Sequence, residues 1–236
     1  MEHPIGIIGG MGPMASQLFY KMVTEHTAAE RDQDHIDLIL LSDASMPDRT
    51  GAILSGQYEG PEEQLLSDAR LLERCGCAAI AITCNTAHFF ADRIAGRVGI
   101  PILHMIRETA RLLVSQGRKR PGILATDGTI QTGLYQREFA ALGLEPVAPG
   151  PEAQRQIMSL IYDDIKAGKL GDPEKFAAAH QDLIAQGCDC AILACTELSV
   201  FATQHPLSTF FIDAMAVLAE RAVQACHKPL RQIHSK

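Results

Sequence analysis

Short uninterrupted apolar runs alternate along the chain with segments whose apolar positions recur every three or four residues. The runs are residues 4–8, 36–41, 78–83, 100–104, 122–125, 190–194 and 209–212. Between them, residues 15–27, 61–74, 131–142, 152–166, 175–186 and 215–226 show helical spacing. Leu65, Leu66, Ala69 and Leu72 share one side of the second of these, and Ile157, Leu160, Ile161 and Ile165 one side of the fourth. Strands that are apolar throughout bury both faces, and amphipathic helices between them supply the crossovers that parallel strands need. The pattern predicts an α/β protein built on parallel sheets.

The pattern also repeats. Gly6-Ile7-Ile8 precedes Leu18-Phe19 by the same spacing at which Gly122-Ile123-Leu124 precedes Leu134-Tyr135. The nine-residue block GCAAIAITC at 76–84 aligns without a gap on GCDCAILAC at 187–195. Two matches in the same order predict two similar parallel-sheet α/β domains, related by a pseudo-two-fold axis, with the active site in the cleft between them. Residues 1–104 plus 213–236 are expected to form one domain, the last helix returning to it, and residues 105–212 the other.

Composition narrows the function. With 236 residues, 47% hydrophobic, 21% charged and 5% aromatic, the chain has ordinary globular composition, which excludes wholesale disorder. A net charge of -7 is the wrong sign for a surface that neutralises phosphate backbone, so no nucleic-acid partner is expected. Any anionic ligand needs a few local Arg or Lys residues, because the overall field repels it. No apolar run approaches the roughly 18 residues of a membrane span. Met1-Glu2-His3-Pro4 lacks the basic region of a secretory leader, and a cytoplasmic location without membrane contact is expected. The 7 Cys are an odd number, which favours reduced thiols over a disulfide framework.

Two of these thiols stand out. Cys84 and Cys195 are the last residues of the two matching blocks, each placed after an apolar strand and before a helix. Ligands of open parallel sheets bind beyond the carboxyl ends of the strands, so a pseudo-two-fold would bring the two sulfurs to one cleft from opposite sides. A helix N-terminus is expected to lower a thiol's pKa from about 8.5 toward neutrality. Facing thiols suit one reaction well: a thiolate removes a proton from one face of an acidic carbon and a thiol protonates the other. Epimerisation then needs no cofactor.

The chain resembles the aspartate/glutamate racemase superfamily. The resemblance is carried by GIIGGMGPMAS at 6–16, MPDRT at 46–50, TCNTAH at 83–88, TDGTIQTGLY at 126–135, DDIKAGK at 163–169 and ACTELS at 194–199. These blocks span nearly the whole chain in family order. The resemblance implies a cofactor-independent two-base racemase that takes a small acidic amino acid, works without a metal and forms a homodimer. It implies Cys84 and Cys195 as the catalytic pair and Arg49 and Lys166 as ligands of substrate carboxylates. Met11, Asn85, Thr86, Thr126 and Thr196 fall in blocks that line the substrate cleft. The glutamate racemase branch carries an Asp in its first glycine-rich loop and a His after its second Cys-Thr. Here Gly9-Gly10-Met11-Gly12 has no Asp and Glu197 follows Cys195-Thr196, which points to the aspartate racemase branch, with glutamate as a further substrate. Glu197 is open between receiving the substrate ammonium and capping its helix, and His88 has no assigned role.

Other readings compete for the same residues. Gly10 to Ala15 fits G-x-G-x-x-A in a strand–turn–helix setting, with Asp43 as a ribose ligand, as in an NAD-dependent oxidoreductase. Asp43 lies further along than the usual spacing of about 20 residues. The pairs Cys75/Cys77 and Cys188/Cys190 suggest zinc, but no C-x-x-C or H-E-x-x-H accompanies them and both adjoin apolar strands. A non-catalytic acidic amino-acid binding protein would use the same two-lobed cleft. Pyridoxal chemistry needs a Schiff-base Lys with a phosphate loop, and the sequence offers no clear combination of the two.

Overall fold

The computed structural model describes residues 3–231; residues 1–2 and 232–236, the two ends of the expected first domain, lie outside them. In chain order the elements are β1 (Ile5–Gly9), α1 (Pro13–His26), β2 (Leu38–Ser42), α2 (Arg49–Ser55), α3 (Glu59–Arg74), β3 (Ala79–Ile82), α4 (His88–Ile94), β4 (Ile102–Leu103), α5 (Met105–Ser115), β5 (Pro121–Leu124), α6 (Asp127–Thr132), α7 (Leu134–Ala140), α8 (Pro151–Ser159), α9 (Pro173–Ala185), β6 (Cys190–Leu193), α10 (Thr196–Gln204), β7 (Phe211–Asp213) and α11 (Ala214–Ala225). A π-helical segment, Leu160–Ile165, continues α8.

All seven apolar runs form strands. The helix expected over 131–142 is instead two, because Gly133 takes a left-handed φ of 62° that ends α6 and starts α7. Helix α5 is absent from the alternation read above, although Ile106, Ala110 and Leu113 bury at helical spacing. None of the helices among the described residues is long and apolar enough to cross a membrane.

The strands form two sheets, β2–β1–β3–β4 and β5–β6–β7, parallel throughout. The internal repeat is visible in their register. Gly6 pairs with Ile80 and Gly122 with Ala191, and Ile80 and Ala191 are the fifth residues of the two matching blocks. Helix packing repeats as well. A Cβ on Gly6 would fall 2.8 Å from Leu72 Cδ1, and one on Gly122 would fall 2.5 Å from Leu183 Cδ1. Those leucines precede their blocks by the same four residues, so each half seats a helix on a strand glycine in the same way. The second sheet keeps only a trace of a β2 counterpart, a parallel bridge between Gly122 and Val147.

Side chains alternate between the faces of each sheet. Ile5, Ile7, Ala79, Ala81, Ile123 and Ile192 share a central core with Phe19, Ile106, Tyr135, Phe139 and Leu218 from α1, α5, α7 and α11. Ile8, Ile80 and Ile82 face α2, α3 and α4 in a second cluster. Leu124, Ala191 and Leu193 face α8, α9 and α10 in a third. Both faces of both sheets are therefore covered, at roughly 1.5–3 kcal/mol of stabilisation for each large side chain fully withdrawn from water. The final helix, α11, packs on α1 and α5. Beyond the carboxyl ends of the strands lie the loops that hold the site.

Candidate active site

Cys84 and Cys195 emerge from the central strands of the two sheets, two residues past the ends of β3 and β6. Both are buried, 7% and 6% exposed, and both line one cavity. The nine residues singled out from the sequence all line it: Met11, Arg49, Cys84, Asn85, Thr86, Thr126, Lys166, Cys195 and Thr196. Asp48, Thr50, Tyr162 and Glu197 complete the wall. Asp48 and Thr50 flank Arg49 in the MPDRT block, and Tyr162 lies one helical turn before Lys166, the only sequence signals that mark them. An adjoining space between the Gly10–Ala15 loop, Ile165 and Val200 shares Met11, Arg49, Lys166 and Glu197 with this cavity.

The two thiols differ in their backbone setting. Cys195 is the N-cap of α10, with φ -145° and ψ 131°, as expected. Cys84 is not at a helix terminus: turn residues 85–87 intervene and α4 begins at His88. The expected lowering of a thiol pKa by the helix end does not hold for Cys195. Burial, and after it the Glu197 carboxylate, push the Cys195 thiol well above its ordinary range, against the opposing pull of Lys166. Cys195 Sγ donates to Glu197 Oε2 at 2.9 Å, and Lys166 Nζ meets Glu197 Oε1 at 2.8 Å. Glu197 thus neither caps α10 nor faces solvent; it is 4% exposed and joins the thiol to the ammonium. Lys166 ends the π-helical segment. Burial works against its charge, but Glu197 and then Cys195 outweigh it and raise its pKa to about 12.

Arg49 is the first residue of α2, not part of a loop, because the Asp48 carboxylate caps that helix by accepting from Gly51 N at 2.5 Å. It is 8% exposed. Its Nη1 donates to the carbonyls of Met46 and Pro47 at 3.1 and 2.9 Å, and its Nη2 to Met11 O at 3.4 Å. Burial opposes its charge, but the facing Cys84 sulfur, with Asp48 and Glu197, more than offsets this and raises its pKa. Arg49 Nε and Asn85 Nδ2 are buried without a hydrogen-bond partner, and both residues line the cavity. Asn85 is oriented by Tyr135, whose hydroxyl donates to Asn85 Oδ1 at 2.5 Å.

The supporting contacts explain two further residues. Met105 N–H donates to His88 Nε2 at 3.1 Å, which leaves the ring proton on Nδ1 to donate to Cys84 O at 2.9 Å. Complete burial, then His104, lower the His88 pKa to about 3, so this neutral ring clamps the Cys84 backbone from behind. The two halves are tied by threonine hydroxyls: Thr126 Oγ1 lies 3.3 Å from Thr50 Oγ1 and 3.1 Å from that of Thr86, which reaches Thr129 Oγ1 at 2.8 Å.

The glycine-rich loop and Asp43 are committed elsewhere. A Cβ on Gly10 would fall 2.3 Å from the Asp43 backbone, and Asp43 Oδ1 accepts from Ser45 N and Oγ at 3.0 and 2.6 Å. Gly12 faces the Glu197 carboxylate, 3.5 Å from the position of a Cβ. Asp92, His104 and Glu138 form the group with metal-ligand spacing among the described residues. Arg107 donates to both of its carboxylates, and Cys75, Cys77, Cys188 and Cys190 do not belong to it.

The fold and site define a two-sheet α/β protein with paired thiols on one cavity. Residues 8–222 match the Asp/Glu/Hydantoin racemase family. The chain belongs to that family and is an amino-acid racemase, an isomerase. It is similar to the aspartate racemase of Picrophilus torridus, with 29% identity, a TM-score of 0.83 and coverage of 97% of this chain and 96% of that one. It is 27% identical over 223 residues to the broad specificity amino-acid racemase RacX of Bacillus subtilis, covering 93% of this chain and 96% of that protein. The glutamate racemase of Campylobacter jejuni shares the fold, with a TM-score of 0.63 at 16% identity over 99% of this chain and 89% of that one.

Proposed function

We propose that this protein interconverts L- and D-aspartate, and glutamate as a second substrate, by a two-base mechanism that needs no pyridoxal phosphate or other cofactor. One observation carries the reading: Cys84 and Cys195, from equivalent positions of the two halves, line one cavity together with Arg49 and Lys166. The substrate's Cα–H bond breaks as one thiolate takes the proton, and the electron pair stays on the Cα–carboxylate unit. The opposite thiol then gives its proton to the other face of Cα. Each cysteine exchanges roles for the reverse reaction. Arg49, with its unpartnered Nε, binds a carboxylate and stabilises the charge that develops on it. Lys166 binds the other carboxylate, and Met11, Asn85, Thr86, Thr126 and Thr196 shape the remaining wall.

Racemisation of L-aspartate and L-glutamate by the cofactor-free protein, followed by chiral chromatography, tests this directly. Cys84→Ala and Cys195→Ala should each abolish racemisation while leaving solvent deuterium exchange into one enantiomer. Full turnover by the double variant would refute the mechanism. The Lys166–Glu197 pair favours a second reading in the same class. If the pair stays closed, Arg49 holds a single carboxylate and neutral amino acids are accepted; the Bacillus subtilis relative is named a broad specificity amino-acid racemase. Alanine and methionine in the substrate panel separate the two.

The expected domain division, residues 1–104 plus 213–236 against 105–212, fits this reading because it places the cavity at the junction. A homodimer in the cytoplasm accords with the family resemblance, and sedimentation velocity tests the dimer.

A further inference from the structure

Cys84 and Cys195 occupy equivalent places in the repeat, yet their charged neighbours have opposite signs. Cys84 faces the Arg49 guanidinium. Cys195 faces a carboxylate, with its sulfur 2.9 Å from Glu197 Oε2. The carboxylate comes from a single position. Two residues beyond Cys84 stands Thr86, and two residues beyond Cys195 stands Glu197. Thr86 is a neutral hydroxyl within the threonine cluster, whereas Glu197 brings a negative charge, 4% exposed, to the second thiol. An ionised carboxylate can only accept, so the proton in this contact must reside on sulfur.

We propose that Glu197 keeps the proton on Cys195 in the substrate-free site, so that Cys195 rests as the acid of the pair and Cys84, on the same cavity as Arg49, is left to act as the base. This rests on the racemase reading and assigns a starting protonation state to it. Glu197 is a positioning residue here, acting through Cys195. Removing the Cys195 proton would place two negative charges at hydrogen-bond distance in a buried site. The other ionisable groups around Cys195 do not undo this. Lys166 opposes it, but that ammonium is shared with Glu197 at 2.8 Å. Arg49 acts on Glu197 from the far side of the cavity. The remaining ionisable neighbours, Tyr135 and Tyr162, are phenols whose burial keeps them neutral. Lys166 is also a proposed carboxylate ligand. Its transfer from Glu197 to the substrate would leave Glu197 free to strengthen its hold on the Cys195 proton until the carbanion takes it.

The test is residue-resolved alkylation of the whole protein with iodoacetamide between about pH 6 and pH 10, with modification at Cys84 and Cys195 followed separately by mass spectrometry. In the wild type, Cys84 is expected to react ahead of Cys195 near neutral pH. In Glu197→Gln, the midpoint of the Cys195 profile should fall by about one pH unit, which is about tenfold more thiolate at a given pH, while the Cys84 midpoint stays in place. Glu197→Asp should restore the Cys195 midpoint toward the wild-type position. Lys166→Met removes the compensating cation and should move that midpoint up. Altered access changes the plateau rate but not the midpoint, so a purely structural role for Glu197 is distinguished. The basic limb of kcat/KM should likewise move to lower pH in Glu197→Gln. An unmoved Cys195 midpoint in Glu197→Gln, equal shifts at both cysteines, or Cys195 reacting first in the wild type would each overturn the proposal. The readout does not depend on turnover. Labelling as expected in a protein that fails the chiral assay would sink the racemase mechanism and leave the Glu197 assignment standing.

Discussion

Thr50 and Gly128 touch across the two halves of the molecule: a Cβ on Gly128 would fall 2.9 Å from Thr50 Cα. The contact joins the start of α2 to the start of α6, beside the hydroxyl pair of Thr50 and Thr126. Arg49 is the neighbour of Thr50, so the approach that only glycine permits also sets where the guanidinium sits. Gly128→Val should force α6 away from α2 at a cost of about 1–3 kcal/mol. The displaced Arg49 should lower kcat/KM for aspartate by about 100-fold, the scale of an ångström-sized misplacement. Thermal denaturation and steady-state kinetics measure the two effects, and unaltered kinetics would contradict this account of the junction.

His88 makes acid stability a readout of the clamp behind Cys84. Its folded pKa of about 3 lies below the unfolded value of about 6.5. As pH falls, the unfolded chain therefore takes up the proton first. The stability this ring contributes is complete above about pH 6.5 and falls by about 1.4 kcal/mol per pH unit from there toward pH 3. His88→Gln, which keeps a donor and an acceptor without an ionisable ring, should lack this slope. Urea denaturation at pH 7 and pH 5 should show the wild type losing about 2 kcal/mol more than the variant.

Arg49 is held by three main-chain carbonyls, from Met11, Met46 and Pro47. A lysine ammonium cannot span all three and also present a planar face to a carboxylate. Arg49→Lys retains the charge and is still expected to reduce kcat/KM by about 100-fold. A variant with near wild-type kinetics would mean that charge alone suffices there.

Tyr135 lies behind the cavity wall and acts on it through Asn85. Tyr135→Phe removes the donor to Asn85 Oδ1 and leaves a buried acceptor unsatisfied, at about 1–3 kcal/mol. The freed amide can then turn, so the Michaelis constant should rise more than kcat falls. Equilibrium unfolding and substrate titration of the same variant check both parts.

How much of this was legible in the chain follows from the range of each interaction. The strands and most helices announced themselves because hydrophobic spacing is a local property, and both sheets formed where the apolar runs stood. The repeat was legible for the same reason, whereas the equivalent seating of Leu72 on Gly6 and Leu183 on Gly122 emerged only from the packing. Local signals failed where the backbone departs from regular form: at Gly133, whose left-handed φ splits a continuous pattern, and at residues 85–87, which separate Cys84 from the helix expected to begin there. By itself the sequence determined the α/β class and the duplicated architecture, since those depend on residue order and periodicity, while the nine site residues followed from the resemblance to the racemase family. Only the tertiary structure decided that the nine residues share one cavity, that His88 is a neutral clamp and that Glu197 sits between Cys195 and Lys166. The decisive contacts there join side chains from separate elements in a site with little water, where the sign and distance of a neighbouring charge set the behaviour of each thiol.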